Sequence, residues 1–166
     1  MNGTYKNSLS QKALINTATT WNVGQSRTEA DTSTIAQLEA LESAYTWTGD
    51  IALATKSEYM RVNTNLQCLT AGDLRTKKDT CKSTNYLYKS GYWFWLLSPS
   101  SSSTRHVLHA AADGHVSIGY AGTTNGKVRP ALYLKSSVNL SGEGTIDRPY
   151  TVEVGSEPTP GELEAP

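Results

Sequence analysis

The segment Tyr92-Trp-Phe-Trp-Leu-Leu-Ser-Pro99 holds the densest run of large apolar side chains, and Val128-Arg-Pro-Ala-Leu-Tyr-Leu134 is a second apolar segment further along. Both patterns predict β-strands that a core can bury, because aromatic and branched side chains are typical of strands. Residues 98–127 between them are rich in Ser, Thr, Gly, Ala and His. We therefore predict a polar surface insert held by two paired core strands, which we call the first and second anchors. Trp93 and Trp95 are expected in the core.

The composition bounds the class of protein. A chain of 166 residues favours one domain, which we place at residues 1–154. Lys+Arg and Asp+Glu are both 15, so no net charge attracts nucleic acid or an anionic membrane. No apolar run is long enough to span a bilayer, and residues 155–166 have the proline and glutamate content of a disordered acidic tail. We expect a monomer with no nucleic-acid partner and no membrane contact by this fragment.

Short helices and strands are predicted before the first anchor. The capping box Ser8-Leu-Ser-Gln11 predicts a helix to about Thr17, and a second helix is capped by Thr32 or Ser33. The buried face of the second helix would consist of Ile35, Leu38, Leu41 and Tyr45. Strands are expected at residues 19–23 and 45–54, a helical turn from Ser57, and mostly loop over residues 63–90.

The polar insert contains a predicted hairpin. Val107-Leu-His-Ala110 and His115-Val-Ser-Ile-Gly-Tyr120 are typical of short strands, and Ala112-Asp-Gly-His115 supplies the turn. In the second anchor, Arg129 is expected to bond a backbone carbonyl or a carboxylate. The remaining elements are a turn-rich segment at residues 138–145 and a closing strand at residues 150–154.

Cys68 and Cys81 are the only cysteines, and their spacing matches no zinc signature. We predict that they form a disulfide, which would close a loop of about 14 residues and stabilise the fold by roughly 3 kcal/mol. A disulfide favours an extracellular setting. Two unrelated thiols in a cytosolic domain are the alternative.

The histidines are the densest group of potential ligands or acid–base residues, with His106, His109 and His115 near Asp113. Strand alternation points His106 and His109 to opposite faces, so a shared metal would need a strand irregularity. The serines at residues 98 and 100–103 lack the surroundings of a nucleophile. We predict no catalytic residue, no metal and no cofactor.

The segments Trp93-Phe-Trp-Leu-Leu-Ser-Pro99, Asp113-Gly114 and Gly126-Lys-Val-Arg-Pro-Ala-Leu132 resemble, in order and spacing, a bacterial family of C-type-lectin-like domains. That family is similar to the variable proteins of diversity-generating retroelements. Residues 1–60 resemble more loosely the pilin-like surface proteins of Gram-positive bacteria, with residues 1–30 as a possible stalk junction. The resemblance implies an α+β fold, with two helices around a small, irregular, mostly antiparallel sheet. The calcium-binding motifs of true C-type lectins do not occur.

The composition of the insert is consistent with a diversified surface. Adenine-directed mutagenesis of Asn codons that end in a pyrimidine never produces Lys, Glu, Gln, Met or Trp. None of these five residue types falls between Leu96 and Gly126. Small-residue loops are biased in composition for other reasons too, so the codons themselves would decide.

These observations favour an extracellular binding domain on the bacterial cell surface, whose targeting segment lies outside this chain. The resemblance implies a ligand face over residues 100–124, and the ligand is an unidentified protein or glycan. The expected contact residues are Ser101, Ser103, Arg105, His106, Leu108, His115, Ser117, Tyr120, Thr123 and Thr124. The alternatives are a structural pilus subunit and, less favoured, a metal-dependent enzyme that uses the histidines.

Overall fold

The computed structural model describes residues 12–26, 32–145 and 147–153, which form a mixed α+β fold. The helices are α1 (Ile35–Glu42), α2 (Lys56–Arg61), α3 (Ala71–Thr76) and α4 (Lys78–Ser83), with a 3-10 turn at Lys12–Leu14. The strands are β1 (Thr19–Asn22), β2 (Thr46–Gly49), β3 (Ile51–Leu53), β4 (Phe94–Pro99), β5 (His106–Ala110), β6 (Val116–Tyr120), β7 (Pro130–Leu132), β8 (Asn139–Ser141) and β9 (Thr151–Glu153). The chain divides into two compact units, Met1–Tyr133 and Leu134–Pro166.

The largest sheet of the first unit has the strand order β4-β5-β6, and both pairs are antiparallel. Alternate side chains of its strands point into the core, and the buried ones are Phe94, Leu96, Leu108, Ala110 and Val116. The predicted hairpin is confirmed, with His106 opposite Tyr120 and Ala110 opposite Val116. Gly114 has a φ of +91° in its turn, and its carbonyl accepts a 2.9 Å hydrogen bond from the buried Tyr59 hydroxyl.

Helix α1 has the predicted type but a different cap and a different buried face. Thr34, one residue after the predicted caps, forms a capping box with Gln37. The buried side chains of α1 are Leu38 and Glu42, while Tyr45 lies beyond the helix end and is 69% exposed. The prediction of Tyr45 on the buried face is therefore wrong.

The segment from residue 63 to residue 90 is more ordered than predicted, because it contains α3 and α4. Thr70 caps α3 in a capping box with Asp73, and the buried Ala71 and Leu74 pack in the core. The predicted disulfide between Cys68 and Cys81 is confirmed, and both sulfurs are buried. Two short helices can persist here because the crosslink and core contacts supplement their few backbone bonds.

The two apolar anchors are not paired core strands. Strand β7 pairs with β3 instead, and Val128 is 61% exposed. Trp93 and Trp95 lie on the face of β4 opposite Phe94 and are partly exposed rather than core residues. The expectation for Arg129 is confirmed, since its guanidinium donates to the Leu87 carbonyl and lies 5.2 Å from the centre of the Phe94 ring.

The second unit contains the antiparallel pair β8 and β9, which agrees with the predicted turn-rich segment and closing strand. Gly142, with a φ of +106°, lies in the connection between them, where a β-carbon would overlap the Pro149 backbone. The predicted capping box at residues 8–11 and the predicted tail at residues 155–166 lie outside the described residues.

Candidate functional site

Most of the predicted contact residues come together at the end of the β5–β6 hairpin away from its turn. The Ser100 amide donates to the His106 carbonyl at 3.0 Å, and the Ala121 amide donates to the Arg105 carbonyl at 2.9 Å. The His106 and Tyr120 rings meet edge to face with centroids 4.7 Å apart. We call this region the hairpin-base surface, and it consists of Ser101, Ser103, Arg105, His106, Tyr120, Thr123 and Thr124.

Side chains at the hairpin-base surface are available to a partner, while their backbone is fixed. Tyr120 is 64% exposed, and Ser101, Arg105, Thr123 and Thr124 are also exposed. The Ser103 hydroxyl accepts from the Arg105 amide at 3.2 Å, and Ser100 and Ser102 share a 2.8 Å hydroxyl contact. Ser26 and Ser100 are fully buried beneath this loop, and their segments bond as a parallel bridge. The serine loop is therefore tied to the body of the first unit.

Three of the predicted contact residues lie elsewhere. Leu108 is fully buried in the core, so it is removed from the candidate surface. His115 lies at the turn of the hairpin, where its ring bonds to Asp113. Ser117 faces outward in the middle of β6, opposite His109.

The outward face of the β4–β6 sheet carries an aromatic cluster, formed by Trp93, Trp95 and His109. The two indoles meet edge to face at 4.7 Å, and the His109 ring lies 4.8 Å from Trp93. Gly119 on β6 provides the flat surface beside Trp95, because a β-carbon there would lie 3.3 Å from the indole. The alternation of large residues in the first anchor is the signal for this cluster, but the pattern alone does not tell which side is outward.

Residues 121–127 cross this outward face. They connect β6 to Lys127, whose backbone bonds to Trp93 and Trp95 on the far side of β4 from β5. The crossing brings Gly126 against both indoles, where a β-carbon would overlap their rings. The aromatic cluster thus lies beneath a short strap that continues from the hairpin-base surface.

We expect Gly126→Ala to lower the free energy of unfolding by about 2 kcal/mol, because its methyl group would displace two packed indoles. Gly122→Ala is the matched control, since a β-carbon at Gly122 would meet nothing within 4 Å. Urea unfolding followed by tryptophan fluorescence measures both. Equal stability of the two variants would show that the strap does not rest on the aromatic cluster.

A charged cluster holds the turn of the hairpin. Asp113 bonds to the His115 ring through one carboxylate oxygen and to the Lys78 ammonium at 3.1 Å through the other. Partial burial of Asp113 opposes its ionisation, but the bonds from Lys78 and His115 outweigh it and hold the pKa of Asp113 below its ordinary value. The Tyr88 hydroxyl donates to the neighbouring Ala112 carbonyl at 3.2 Å.

The Asp113 carboxylate is expected to make a small contribution to stability that depends on pH. Since its folded pKa is depressed, the contribution is present above the unfolded pKa and is lost as the pH falls through the folded pKa. Asp113→Asn should therefore reduce stability at neutral pH and reduce the acid-range decline in melting temperature. An unchanged acid-range decline in the variant would contradict this role.

A buried carboxylate that no apolar pattern predicts links three elements of the first unit. Glu42, at the end of α1, is 1% exposed and accepts a 2.7 Å hydrogen bond from the Ser98 hydroxyl. It also accepts from the hydroxyl and the amide of Ser57 in α2. Ser98 in turn accepts from the Lys56 amide at 2.8 Å. Glu42 therefore joins α1 and α2 to the strand that leads into the serine loop.

The described residues show no arrangement that indicates metal chemistry or membrane insertion. In residues 12–26, 32–145 and 147–153, no group of three or more His, Cys, Asp or Glu side chains could hold a metal ion. His106 and His109 lie on opposite sides of a regular strand, as the alternation predicts. No helix in this part of the chain has the length and apolar character to cross a bilayer.

The fold and its surface define a small, disulfide-bonded α+β domain that holds a polar hairpin and strap on a packed sheet. A family model described as domain of unknown function (DUF6273) matches residues 1–136, and the chain belongs to that family. No curated protein and no solved structure matches the chain. The matched range ends close to the boundary between the two compact units, at residues 133 and 134.

Proposed function

We propose that the first unit is an extracellular binding domain, in which the hairpin-base surface contacts a protein or glycan on a C-type-lectin-like scaffold. The hairpin-base surface is the observation that carries this proposal. Its exposed polar and aromatic side chains stand on a backbone held by hydrogen bonds and by the buried face of the same sheet. Arg and Tyr are the residue types that most often dominate binding energy, and Arg105 and Tyr120 are both exposed there.

We also propose that the hairpin-base surface tolerates substitutions without loss of the fold. The core beneath the hairpin uses Leu108, Ala110 and Val116, none of which belongs to the hairpin-base surface. Residues that face solvent away from special backbone geometry usually change stability little when replaced. The disulfide favours a location outside the cytoplasm, in agreement with a displayed domain.

We expect the double variant Arg105→Ala and Tyr120→Ala to unfold within about 1 kcal/mol of the parent chain, because both side chains are exposed. Leu108→Ala on the same hairpin is the contrasting control and should lose about 3 kcal/mol, because it opens a cavity in the core. Urea unfolding of the three proteins measures the difference. A loss of more than about 2 kcal/mol in the double variant would mean that these residues maintain the fold.

The coding sequences of this chain in many isolates test the binding role itself. A recognition surface predicts replacements concentrated at the hairpin-base surface, at codons that end in a pyrimidine. A structural pilus subunit predicts that the same positions are as constant as the core. Purine-ending codons at most exposed positions of residues 100–124 would reject diversification by adenine-directed mutagenesis, and constancy would reject the recognition surface.

A further inference from the structure

A second concave region of the first unit is formed by elements that take no part in the hairpin-base surface. A cleft of about 630 Å³ lies between β1, α1, α2 and Tyr133. This volume is in the range of sites that hold small molecules or single units of larger ones. The cleft is therefore large enough to hold a small-molecule ligand.

One wall of the cleft is a fixed aromatic surface. The Tyr133 ring is 52% exposed and packs against Trp21, with ring centroids 5.2 Å apart. Trp21 is buried, and its indole donates to the Gly49 carbonyl at 2.8 Å. The Tyr133 carbonyl accepts from the Asn16 amide at 2.7 Å. Since both rings are held, Tyr133 offers a pre-organised flat face that a ligand can cover at little entropic cost.

The other walls offer hydrogen bonds in both directions. Helix α1 contributes Glu39, and α2 contributes Glu58 and Arg61. Exposed Thr20 and Asn22 on β1 also line the cleft, and their side chains bond to none of the residues that the structure describes. Donors and acceptors placed around one aromatic face suit a ring that carries several hydroxyl groups.

The charges of the cleft restrict the ligand further. Arg61 forms an ion pair with Glu39, so its charge is already compensated. Glu58 accepts from the Thr55 amide at 2.7 Å through one carboxylate oxygen, and its residue also lines the cleft. An anion would compete with Glu39 for Arg61 and would be repelled by Glu58. A neutral ligand meets neither obstacle, and because Glu58 would also attract a cation, a matched cationic probe is needed to separate the two.

We propose that this cleft binds one neutral, multiply hydroxylated ring, of the size of a single sugar unit, by stacking on Tyr133 and without a metal ion. Asn22, Glu58 and the Glu39–Arg61 pair supply the hydrogen bonds. The inference is independent of the proposed binding role of the hairpin-base surface, because none of its residues lines the cleft.

Three matched probes test the proposal: glucose, glucuronate and glucosamine, which share a ring and differ in charge. Two-dimensional amide NMR of the full chain, titrated with each probe in the presence of EDTA, reports the Trp21 indole and the Asn22 side-chain amide. We expect saturable shifts of both signals with glucose and about tenfold weaker binding of glucuronate. No shift with glucose in EDTA, or stronger binding of glucosamine than of glucose, would overturn the proposal.

Variants of the cleft test whether glucose binds against the Tyr133 ring. Tyr133→Ala should weaken glucose binding by about tenfold, because it removes the stacking face, whereas Tyr133→Phe should retain most of it. Tyr86→Ala is the matched control, since it removes an exposed tyrosine that belongs neither to the cleft nor to the hairpin-base surface and should not change glucose binding. If Tyr133→Ala unfolds the protein, Asn22→Ala replaces it, with an expected loss of about fivefold. Equal weakening by Tyr86→Ala, or none by the cleft variants, would contradict the cleft as the site.

Discussion

Replacing Glu42 with alanine is expected to lower the free energy of unfolding by about 3 to 4 kcal/mol, the largest effect of any single substitution considered for this chain. The carboxylate accepts hydrogen bonds from the Ser98 hydroxyl and from the hydroxyl and amide of Ser57, and all of these groups are buried. Alanine would leave these donors without an acceptor and would open a cavity. Urea unfolding followed by tryptophan fluorescence measures the loss.

Two further variants separate the charge of Glu42 from its shape. Glu42→Gln keeps the volume and one acceptor oxygen, so it should lose about half as much stability as the alanine variant. Ser98→Ala removes one donor to Glu42 and also the acceptor of the Lys56 amide, so it should lose about 2 kcal/mol. If Glu42→Ala is as stable as Ser98→Ala, the buried carboxylate does not hold the three elements together.

Removal of the disulfide, as Cys68→Ala with Cys81→Ala, is expected to lower the free energy of unfolding by about 3 kcal/mol. The two residues are 13 positions apart, and a crosslink over a loop of this length restricts the unfolded chain by about that amount. Helix α3 lies within the loop, α4 carries Cys81 and begins within it, and both helices are only six residues, too short to persist alone. The double variant should therefore lose helix content as well as stability, which far-ultraviolet circular dichroism detects.

The parent chain unfolded in urea with a reductant is the control for the disulfide. Reduction should move the parent to the stability of the double variant, because both then lack the same crosslink. A parent that is equally stable with and without reductant, after free-thiol titration confirms two thiols, would show that core contacts alone hold α3 and α4.

Local patterns are sufficient to predict the central hairpin and the disulfide. Alternating residues on either side of Asp113-Gly114 define β5 and β6, because a two-stranded ladder and its turn depend on neighbours in sequence. The cysteines are the only two in the chain, so only one intramolecular pair is possible. Arg129 is likewise confined by its position before Pro130 and bonds a carbonyl as expected.

Which face of β4 is buried depends on contacts distant in sequence and cannot be predicted from the pattern of its residues. Phe94 and Leu96 are as apolar as Trp93 and Trp95, so alternation defines two faces without identifying the buried one. The helices α2, α3 and the disulfide pack beneath Phe94 and fix the choice. Both indoles consequently face outward beneath the strap, where a prediction of core residues fails.

In α1 a charged residue is buried, so the apolar pattern alone identifies the wrong residues for the buried face. Ile35, Leu38 and Glu42 follow the i, i+3, i+7 spacing of one helix face, but apolar periodicity selects Leu41 and Tyr45 instead. Glu42 is buried because Ser57 and Ser98 supply donors from elements that are distant in sequence. The cleft beside Tyr133 is also a product of such distant elements, and no local motif predicts it.

The strap limits how far deletions can shorten this surface. From Tyr120 to Lys127 the chain passes from one edge of the sheet to the other, and three strand spacings amount to about 14 Å, while seven residues extend to at most about 25 Å. The loss of four codons from this stretch would leave three residues, which extend to at most about 11 Å and would detach Lys127 from Trp93 and Trp95. Heritable variation here is therefore expected to consist of residue exchanges and short deletions, and alleles shortened by four or more codons should be absent from natural populations.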